Sequence, residues 1–239
     1  MTLDTVVMAA GEGTRLRPLT ARWAKPVLPI DGRPVIATLL RDLAAAGSKR
    51  VWLVTGHFAE QVEALAGDGS AFGLEVRIVR QPRADGSADA VRRALAAGAP
   101  PPLLLSAADT VYSPGAIAPF AEAFRASGAA GAVAVRRAGE RPRHTRIRVE
   151  GGKVVRMPDP SVNADVTAAP LMAFGERIAR EVPAVCAPPF TAPYEVAVAF
   201  QRAIDAGETV AALETGATRD LTDPLDLVEE NFPYLRGLM

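Results

Sequence analysis

The first 110 residues alternate between short apolar runs and stretches in which apolar residues recur at helical spacing. Strands and helices that alternate in this way form parallel sheets with right-handed crossover connections. The sequence therefore predicts an α/β fold with a doubly wound, mostly parallel sheet. The predicted strands are Thr5–Ala10, Val51–Thr55, Leu74–Arg80 and Leu103–Ser106, and the predicted helices are Pro34–Ala46, Ala59–Leu65 and Ser87–Ala96, with Ser87 as a candidate cap.

The second half of the chain is richer in strands. Two β runs, Thr145–Glu150 and Lys153–Met157, flank Gly151-Gly152, which is typical of a hairpin. We find no repeat and no linker, so we expect one domain over residues 1–239, with residues 131–239 adding a β-rich, mixed-sheet part to residues 1–130. The other predicted elements are helices Gly115–Ser127, Tyr194–Ala206 and Asp223–Asn231, and strands Ala132–Arg137, Val166–Phe174 and Thr209–Glu214.

Composition limits the partners. The chain has 27 Lys and Arg residues against 27 Asp and Glu residues, whereas proteins that bind nucleic acid or acidic membranes have a basic excess. No apolar stretch approaches the ~18 residues of a membrane span. Cys186 is the one cysteine, which suits a reducing compartment. We therefore expect a cytoplasmic protein with small ligands and no nucleic-acid or membrane partner.

A glycine loop follows the first predicted strand. Gly11 and Gly13 permit a tight turn whose backbone N–H groups can cradle phosphate oxygens. Arg15 and Lys25 add positive charge, and Lys25 is one of only three lysines against 24 arginines. A dinucleotide-binding loop would need a third glycine where Leu16 stands, and the P-loop pattern is absent. The loop predicts a triphosphate site of another type, with an ordinary surface turn as the alternative.

The pattern Gly11-x-Gly-Thr-Arg15-x-x-Pro18-x-Thr20, followed by Lys25-Pro26, resembles the signature of the nucleoside-triphosphate:sugar-1-phosphate nucleotidylyltransferases. This resemblance implies a Rossmann-like fold, transfer of a nucleotide to a phosphorylated sugar or alcohol, and release of pyrophosphate. It also implies catalytic roles for Arg15 and Lys25 and nucleotide contacts from the loop at Ala10, Gly11, Gly13 and Thr14. Members of the family are often oligomeric, which leaves a homo-oligomer open.

A second matching segment begins at Gln81. Gln81-Pro-Arg-Ala-Asp-Gly86-Ser87-Ala88 resembles the family segment in which a Gln and a Gly read the base. A Gln amide offers a donor and an acceptor, which suits the imide edge of a pyrimidine, and a glycine lets backbone atoms approach closely. Gln81, Gly86 and Ser87 are therefore predicted to bind the nucleotide, with UTP or dTTP favoured. The alternative is an ordinary link between a strand and a helix.

Two aspartates are candidate ligands for Mg²⁺. Asp109 follows the strand Leu103–Ser106, and Asp220 lies in a late segment that resembles the family pattern D-x-x-T-P-x-D-L. Asp223 stands where the pattern has Pro, so Asp223 is either the alternative ligand or the N-cap of the last helix. Two carboxylates together with phosphate oxygens suit Mg²⁺.

The acceptor site is where the sequence departs from the family. The Glu-Lys-Pro segment that holds the sugar phosphate in relatives is replaced by Arg156-Met-Pro-Asp159. Arg156 and Asp159 are candidate replacements, and Tyr194-Glu195 resembles a family stretch near the acceptor, although Glu195 could equally be first-turn charge on a helix. His57 and His144 are isolated in the sequence and are expected to be structural or solvated rather than catalytic.

Three hypotheses on function follow. The first is a Mg²⁺-dependent enzyme in which the acceptor phosphate attacks the α-phosphorus in line. The second is a CTP-dependent cytidylyltransferase whose acceptor is a phosphorylated or phosphonylated alcohol such as choline phosphate. The third is an inactive regulatory subunit that binds a nucleotide-sugar. Residues 1–130 would form the nucleotide-binding half, and residues 131–239 would bind the acceptor and supply the second metal ligand.

Overall fold

The computed structural model describes residues 3–137, 145–159 and 166–232, so His144 lies outside the described residues. Within them no helix is long and apolar enough to cross a membrane. The main strands are β1 (Asp4–Ala9), β4 (Arg50–Thr55), β5 (Glu75–Arg80), β6 (Leu103–Ala107), β8 (Gly131–Arg137), β9 (Arg148–Glu150), β10 (Lys153–Arg156), β11 (Val166–Phe174) and β12 (Val210–Glu214). Short strands are β2 (Pro29–Ile30), β3 (Arg33–Pro34), β7 (Thr110–Tyr112) and β13 (Thr218–Asp220).

The main strands form one mixed sheet in the order β5-β4-β1-β6-β11-β8-β12-β10-β9. The four strands β5, β4, β1 and β6 are parallel to one another. β11 runs antiparallel between β6 and β8, and β9 and β10 form the predicted hairpin. The predicted mixed α/β sheet is confirmed, and it contains strands from both halves of the chain.

Helices cover both faces of this sheet. The helices are α1 (Val35–Ala45), α2 (Ala59–Ala66), α3 (Ser87–Ala96), α4 (Ile117–Ser127), α5 (Glu176–Val185), α6 (Val196–Asp205) and α7 (Pro224–Asn231). Successive residues of a strand point to opposite faces, so Val6 packs with α3, α5 and α6, while Val7 packs with α1, α2 and α4. The doubly wound arrangement is therefore confirmed. Ser87 is the first residue of α3 and does not cap it.

A third, smaller core joins the start of the chain to its end. Leu16, which is fully buried, packs with Leu28, Ile30, Val35 and Leu221. The short strands β7 and β13 pair antiparallel, with Thr110 opposite Asp220. These contacts hold the segment around Asp220 beside the strand that follows Asp109.

Candidate active site

A cavity of about 350 Å³ opens at the carboxyl ends of β1 and β6. Met8 lies opposite Ala107 in the parallel ladder, so the segments that leave these two strands emerge at the same edge. This is the edge at which open α/β sheets bind ligands. The predicted site residues that line the cavity are Ala10, Gly11, Gly13, Thr14, Arg15, Lys25, Gln81, Gly86, Ser87 and Asp109.

The glycine loop leaves backbone donors unused. Within the described residues the N–H groups of Gly11, Glu12 and Gly13 donate no hydrogen bond. A Cβ on Gly11 would meet no atom within 4 Å, so the space beside it is open to a ligand. Gly13 has φ +62°, and a Cβ there would lie 3.0 Å from Thr20 Cγ2. Consecutive free N–H groups next to open space are suited to binding an anion.

The glycine loop and the segment after it are held by hydrogen bonds from Thr20, from His57 just before α2, and from Gln61 in α2. The hydroxyl of Thr20 donates to the carbonyl of Gly13 at 2.8 Å, and His57 Nε2 lies 3.1 Å from the carbonyl of Thr20. Gln61 of α2 accepts from the N–H of Ala24 and donates to the carbonyl of Arg22, both at 2.8 Å. His57 thus has a structural contact, as expected, whereas the sequence had given no sign of the role of Gln61.

Two cationic side chains line the cavity, and they differ in exposure and in pairing. Arg15 is exposed and makes no ion pair among the described residues. Lys25 is mostly buried, and its Nζ forms a close ion pair with Asp109 Oδ2. Arg15 is therefore available to an incoming anion, while one of the three N–H donors of Lys25 is already held by Asp109.

The second aspartate, Asp220, lies on the neighbouring strand. Its Oδ2 accepts a hydrogen bond from Thr222 Oγ1 at 2.8 Å, and its Oδ1 lies 4.0 Å from Arg136 Nη2. Thr222 lines the cavity, although the sequence analysis did not single it out. Its position two residues after Asp220 was the available signal.

Tyr112 anchors β7, the strand that follows Asp109 and pairs with the strand of Asp220, to the main sheet. Its hydroxyl donates to the carbonyl of Pro170 and hydrogen-bonds to Ser106 Oγ, both at 2.8 Å. Burial raises the pKa of Tyr112 well above its usual value, so the phenol stays protonated and keeps its donor. β7 is thereby tied to β6 and β11 behind Asp109.

Asp223, the alternative ligand, is the N-cap of α7. Its side chain accepts from the N–H groups of Leu225 and Asp226, at 3.0 and 3.4 Å, and Asp226 Oδ2 in return accepts from the N–H of Asp223 at 2.9 Å. Together these bonds form a capping box. The geometry favours the N-cap interpretation and leaves Asp220 as the candidate ligand beside β7.

We expect Asp223→Ala to lower the free energy of unfolding by about 1 kcal/mol, because Ala is a poor N-cap. Asp223→Asn should retain stability, since Asn caps as well as Asp. Both variants should retain activity, and chemical denaturation with an activity assay would check this. A loss of activity in Asp223→Asn at normal stability would show that the Asp223 carboxylate has another role.

Gly86 is required by the fold itself. It has φ +103°, and a Cβ there would lie 2.8 Å from the carbonyl carbon of Tyr194 and closer still to its N and O atoms. The backbone of Tyr194 hydrogen-bonds to Asp85 and Ala88, at 2.7 and 2.8 Å. The close approach that the sequence predicted at Gly86 is thus made by the backbone of Tyr194, which joins the two halves of the chain.

Gly86→Ala should therefore destabilise the protein by more than about 2 kcal/mol, through both backbone strain and overlap. Gly207 is a matched control, because its φ is +88° but a Cβ there would meet nothing within 4 Å. Gly207→Ala should cost only about 1 kcal/mol, the usual cost of a left-handed residue. Equal losses in thermal or chemical unfolding would mean that contact with Tyr194 contributes nothing.

A second cavity, of about 230 Å³, adjoins the first and shares Met8 and Ser87 with it. Glu195 lines this second cavity and accepts a hydrogen bond from Ser87 Oγ at 2.7 Å. Ser87 Oγ in turn accepts from the N–H of Val196 at 2.8 Å. Apart from Ser87, Glu195 and Thr145, the described lining is apolar: Met8, Leu105, Met157, Ala168, Ala169, Pro170, Met172, Val196 and Ala197.

The other acceptor candidates lie elsewhere. Arg156 is exposed on β10. Asp159 is only 1% exposed and forms an ion pair with Arg148 at 3.0 Å. Neither is among the described residues that line the two cavities. The structure therefore brings Glu195 to the site but not Arg156 or Asp159, because the carboxylate of Asp159 is used inside the fold.

Sequence comparisons match this chain to a known family. The family model described as "Nucleotidyl transferase" matches residues 4–155, more than half of the chain. Mannose-1-phosphate guanylyltransferase of Mycobacterium tuberculosis is 47% identical over 79 residues, which are 33% of this chain and 22% of that protein. CMP-5'-(3-aminopropyl)phosphonate synthase of Streptomyces rubellomurinus is 44% identical over 77 residues, 32% of this chain and 12% of that protein. The match thus spans less than a quarter of either relative.

Solved structures show the same fold over the whole chain. A UDP-glucose pyrophosphorylase in complex with UDP-glucose superimposes with a TM-score of 0.83, covering 99% of this chain and 100% of that one. The sequence identity is 17%. This similarity extends the shared fold beyond residue 155, into the part of the chain that carries Glu195 and Asp220.

Proposed function

Because the chain belongs to the nucleotidyl transferase family, we propose that it joins a nucleoside triphosphate to a sugar 1-phosphate and releases pyrophosphate. An oxygen of the acceptor phosphate forms a bond to the α-phosphorus, and the bond from that phosphorus to the β-phosphate oxygen breaks. The observation that carries the proposal is the meeting of the glycine loop, Lys25 and Asp109 at one cavity that adjoins a second.

The loop and its cations would hold the triphosphate. The free N–H groups from Gly11 to Gly13 would donate to phosphate oxygens. Arg15 would stabilise the departing pyrophosphate, and Lys25, held beside the loop by Asp109, would contact the reacting phosphates. Catalysis of this kind depends on positioning and on stabilisation of charge, with no covalent intermediate on the protein.

Asp109, which lines the first cavity, and Asp220, on the strand paired with β7, are the residues that would hold Mg²⁺, although Asp220 is not among the described residues that line the cavity. Carboxylate oxygens are hard donors, and protein sites for Mg²⁺ commonly use one or two of them together with substrate phosphates and water. The described residues contain no group of three or more His, Cys, Asp or Glu side chains suited to a metal, so phosphate and water would complete the shell. The cation would neutralise charge at the α-phosphate.

UTP or dTTP is the proposed donor. The support is Gln81, which lines the first cavity and whose amide oxygen can accept from the ring N–H of uracil or thymine. The names of the relatives point to more than one base. Gln81 supports a base with a ring N–H, and the choice of uracil or thymine over guanine rests on the sequence prediction.

The second cavity favours a second candidate for the acceptor. Nine of its twelve described lining residues have apolar side chains, and Glu195 is the one charged side chain among them. Sugar hydroxyls need many polar partners, whereas a short alkyl chain with a cationic group would suit apolar walls and a carboxylate. A CTP-dependent enzyme acting on a phosphorylated or phosphonylated alcohol, such as choline phosphate, is this candidate.

A screen for pyrophosphate release tests both candidates. ATP, CTP, GTP, UTP and dTTP would each be combined with a panel of sugar 1-phosphates, choline phosphate and an aminoalkyl phosphonate in the presence of Mg²⁺. Release with UTP or dTTP and a sugar 1-phosphate would support the first candidate, and release with CTP and a cationic alcohol phosphate the second. Nucleotide binding by calorimetry without release in any combination would favour the inactive, nucleotide-sugar-binding subunit.

A further inference from the structure

The amide of Gln81 is held in one orientation. Gln81 is 3% exposed, follows β5 and lines the first cavity. Its Nε2 donates to the carbonyl of Gly86 and to Asp89 Oδ2, both at 3.0 Å. These two bonds use both protons of the amide nitrogen. Among the described residues the amide oxygen, Oε1, has no partner.

Asp89 and the Gly86 carbonyl set this orientation together because both can only accept, and Asp89 is the partner that carries a charge. Asp89 is 3% exposed in the first turn of α3. Arg93 Nε donates to Oδ2 at 2.6 Å, and Arg92 Nε donates to Oδ1 at 3.1 Å. Burial alone would raise the pKa of Asp89, but the hydrogen bonds from Arg93, Arg92 and Gln81 outweigh it and keep the pKa below its usual value. If the Gln81 amide were flipped, its Oε1 would face the Asp89 carboxylate, and the two oxygens would repel each other.

We infer that Asp89 is a positioning residue for base selection, which fixes Gln81 so that only its carbonyl oxygen is available to the base. This inference rests on the proposed function, because it assumes that the base lies at Gln81. An acceptor at that point pairs with a ring N–H flanked by carbonyl or amino groups, as in uracil, thymine and guanine. Cytosine has a bare ring nitrogen there, and two acceptors would face each other. The selected class is therefore a base with a ring N–H.

The sequence alone would not show this role. The expectation that Gln81 uses both its donor and its acceptor is changed by the structure, because both donor positions are taken within the protein. The spacing of Gln81 and Asp89 puts one after a strand and the other inside a helix, with a loop between them. Only the packed structure brings the two side chains together.

Asp89→Asn tests the inference. The Asn amide can donate to Gln81 Oε1, so only the Gly86 carbonyl still favours the original orientation and the Gln81 amide turns more readily to offer its nitrogen to the base. Calorimetry would measure binding of UTP, CTP and inorganic tripolyphosphate, which carries no base. The ratio of UTP to CTP affinity should fall on the order of 10-fold, the usual effect of mispairing one buried polar group. Affinity for tripolyphosphate should stay within about two-fold, since the phosphate loop is unchanged.

Two further variants separate positioning from general loosening. Arg92→Gln removes a partner of Asp89 but leaves the bond from Gln81, so the UTP to CTP ratio should not change. In a Gln81→Met background, which lacks the amide, Asp89→Asn should have no further effect on the ratio. An equal shift in both backgrounds would overturn the inference, as would tighter binding of CTP than of UTP, dTTP and GTP by the wild-type chain.

Because these are binding measurements, they do not require turnover. A chain that binds UTP and responds to Asp89→Asn as expected, but never releases pyrophosphate, would uphold the role of Asp89 and refute the proposed reaction. Pyrophosphate release by the wild-type chain, together with an unchanged ratio of UTP to CTP affinity in Asp89→Asn, would uphold the proposed reaction and refute the role of Asp89.

Discussion

Replacing Lys25 by alanine is expected to lower the turnover of pyrophosphate release at least about 100-fold, as for other groups that stabilise transition-state charge. Lys25 is the mostly buried cation of the first cavity, and the protein holds it against Asp109. In the proposed reaction its ammonium bridges the reacting phosphates, where negative charge develops. Steady-state assays at saturating nucleotide and Mg²⁺ would measure the loss in kcat.

Three controls test the reason for this loss. Lys49 is exposed and distant in the fold, so Lys49→Ala should keep wild-type turnover. Lys25→Arg should recover only part of the activity, because a planar guanidinium does not replace a compact ammonium. Lys25→Ala leaves the Asp109 carboxylate without its cation. The double variant Lys25→Ala/Asp109→Asn should therefore regain stability but stay inactive, and recovery of activity with stability would mean that Lys25 acts only on the fold.

Asp109→Asn and Asp220→Asn should each lower turnover about 100-fold or more, because each removes a charged oxygen from the proposed Mg²⁺ site. The substitutions keep the size of the side chain, and Asp220 would retain its contact with Thr222. The Mg²⁺ concentration for half-maximal activity should rise at least about 10-fold in both variants. A Mg²⁺ titration at fixed nucleotide measures this.

Asp223→Asn is the matched control for that titration, since Asp223 lies only three residues after Asp220 but its side chain caps α7. Its Mg²⁺ requirement should equal that of the wild-type chain. If Asp220→Asn behaves normally and Asp223→Asn does not, the assignment of the second ligand is reversed. If neither aspartate affects the Mg²⁺ requirement, the metal is held elsewhere.

Most of the fold could be predicted because its signals are local. The helix Ser87–Ala96 and the strand Val166–Phe174 have the same bounds in the structure as in the sequence prediction. The helix α5 was missed, since Pro183 lies inside it and proline is rare in helix interiors. The strands β7 and β13 are three residues each and exist through pairing across more than 100 residues, which no local pattern reveals.

The residues of the candidate site also fall into those that a local motif predicts and those that only long-range packing reveals. Its loop and Lys25 could be predicted from one continuous motif, and they line one cavity. The contacts that hold the site together could not be predicted, because they join segments that are distant in the sequence. Gly86 packs against the backbone of Tyr194, and Ser87 donates to Glu195. Asp159 was proposed as a ligand for hydroxyls from its position in the sequence, but its carboxylate is paired with Arg148.

The small core that joins Leu16 to Leu221 has a consequence for biosynthesis. The glycine loop leaves the ribosome early, but its packing partner and Asp220 follow some 200 residues later. At about 5–20 residues per second, the loop waits roughly 10 to 40 s for them. A nascent chain should therefore gain protection from proteolysis by its nucleotide only after residue 221 has left the ribosome.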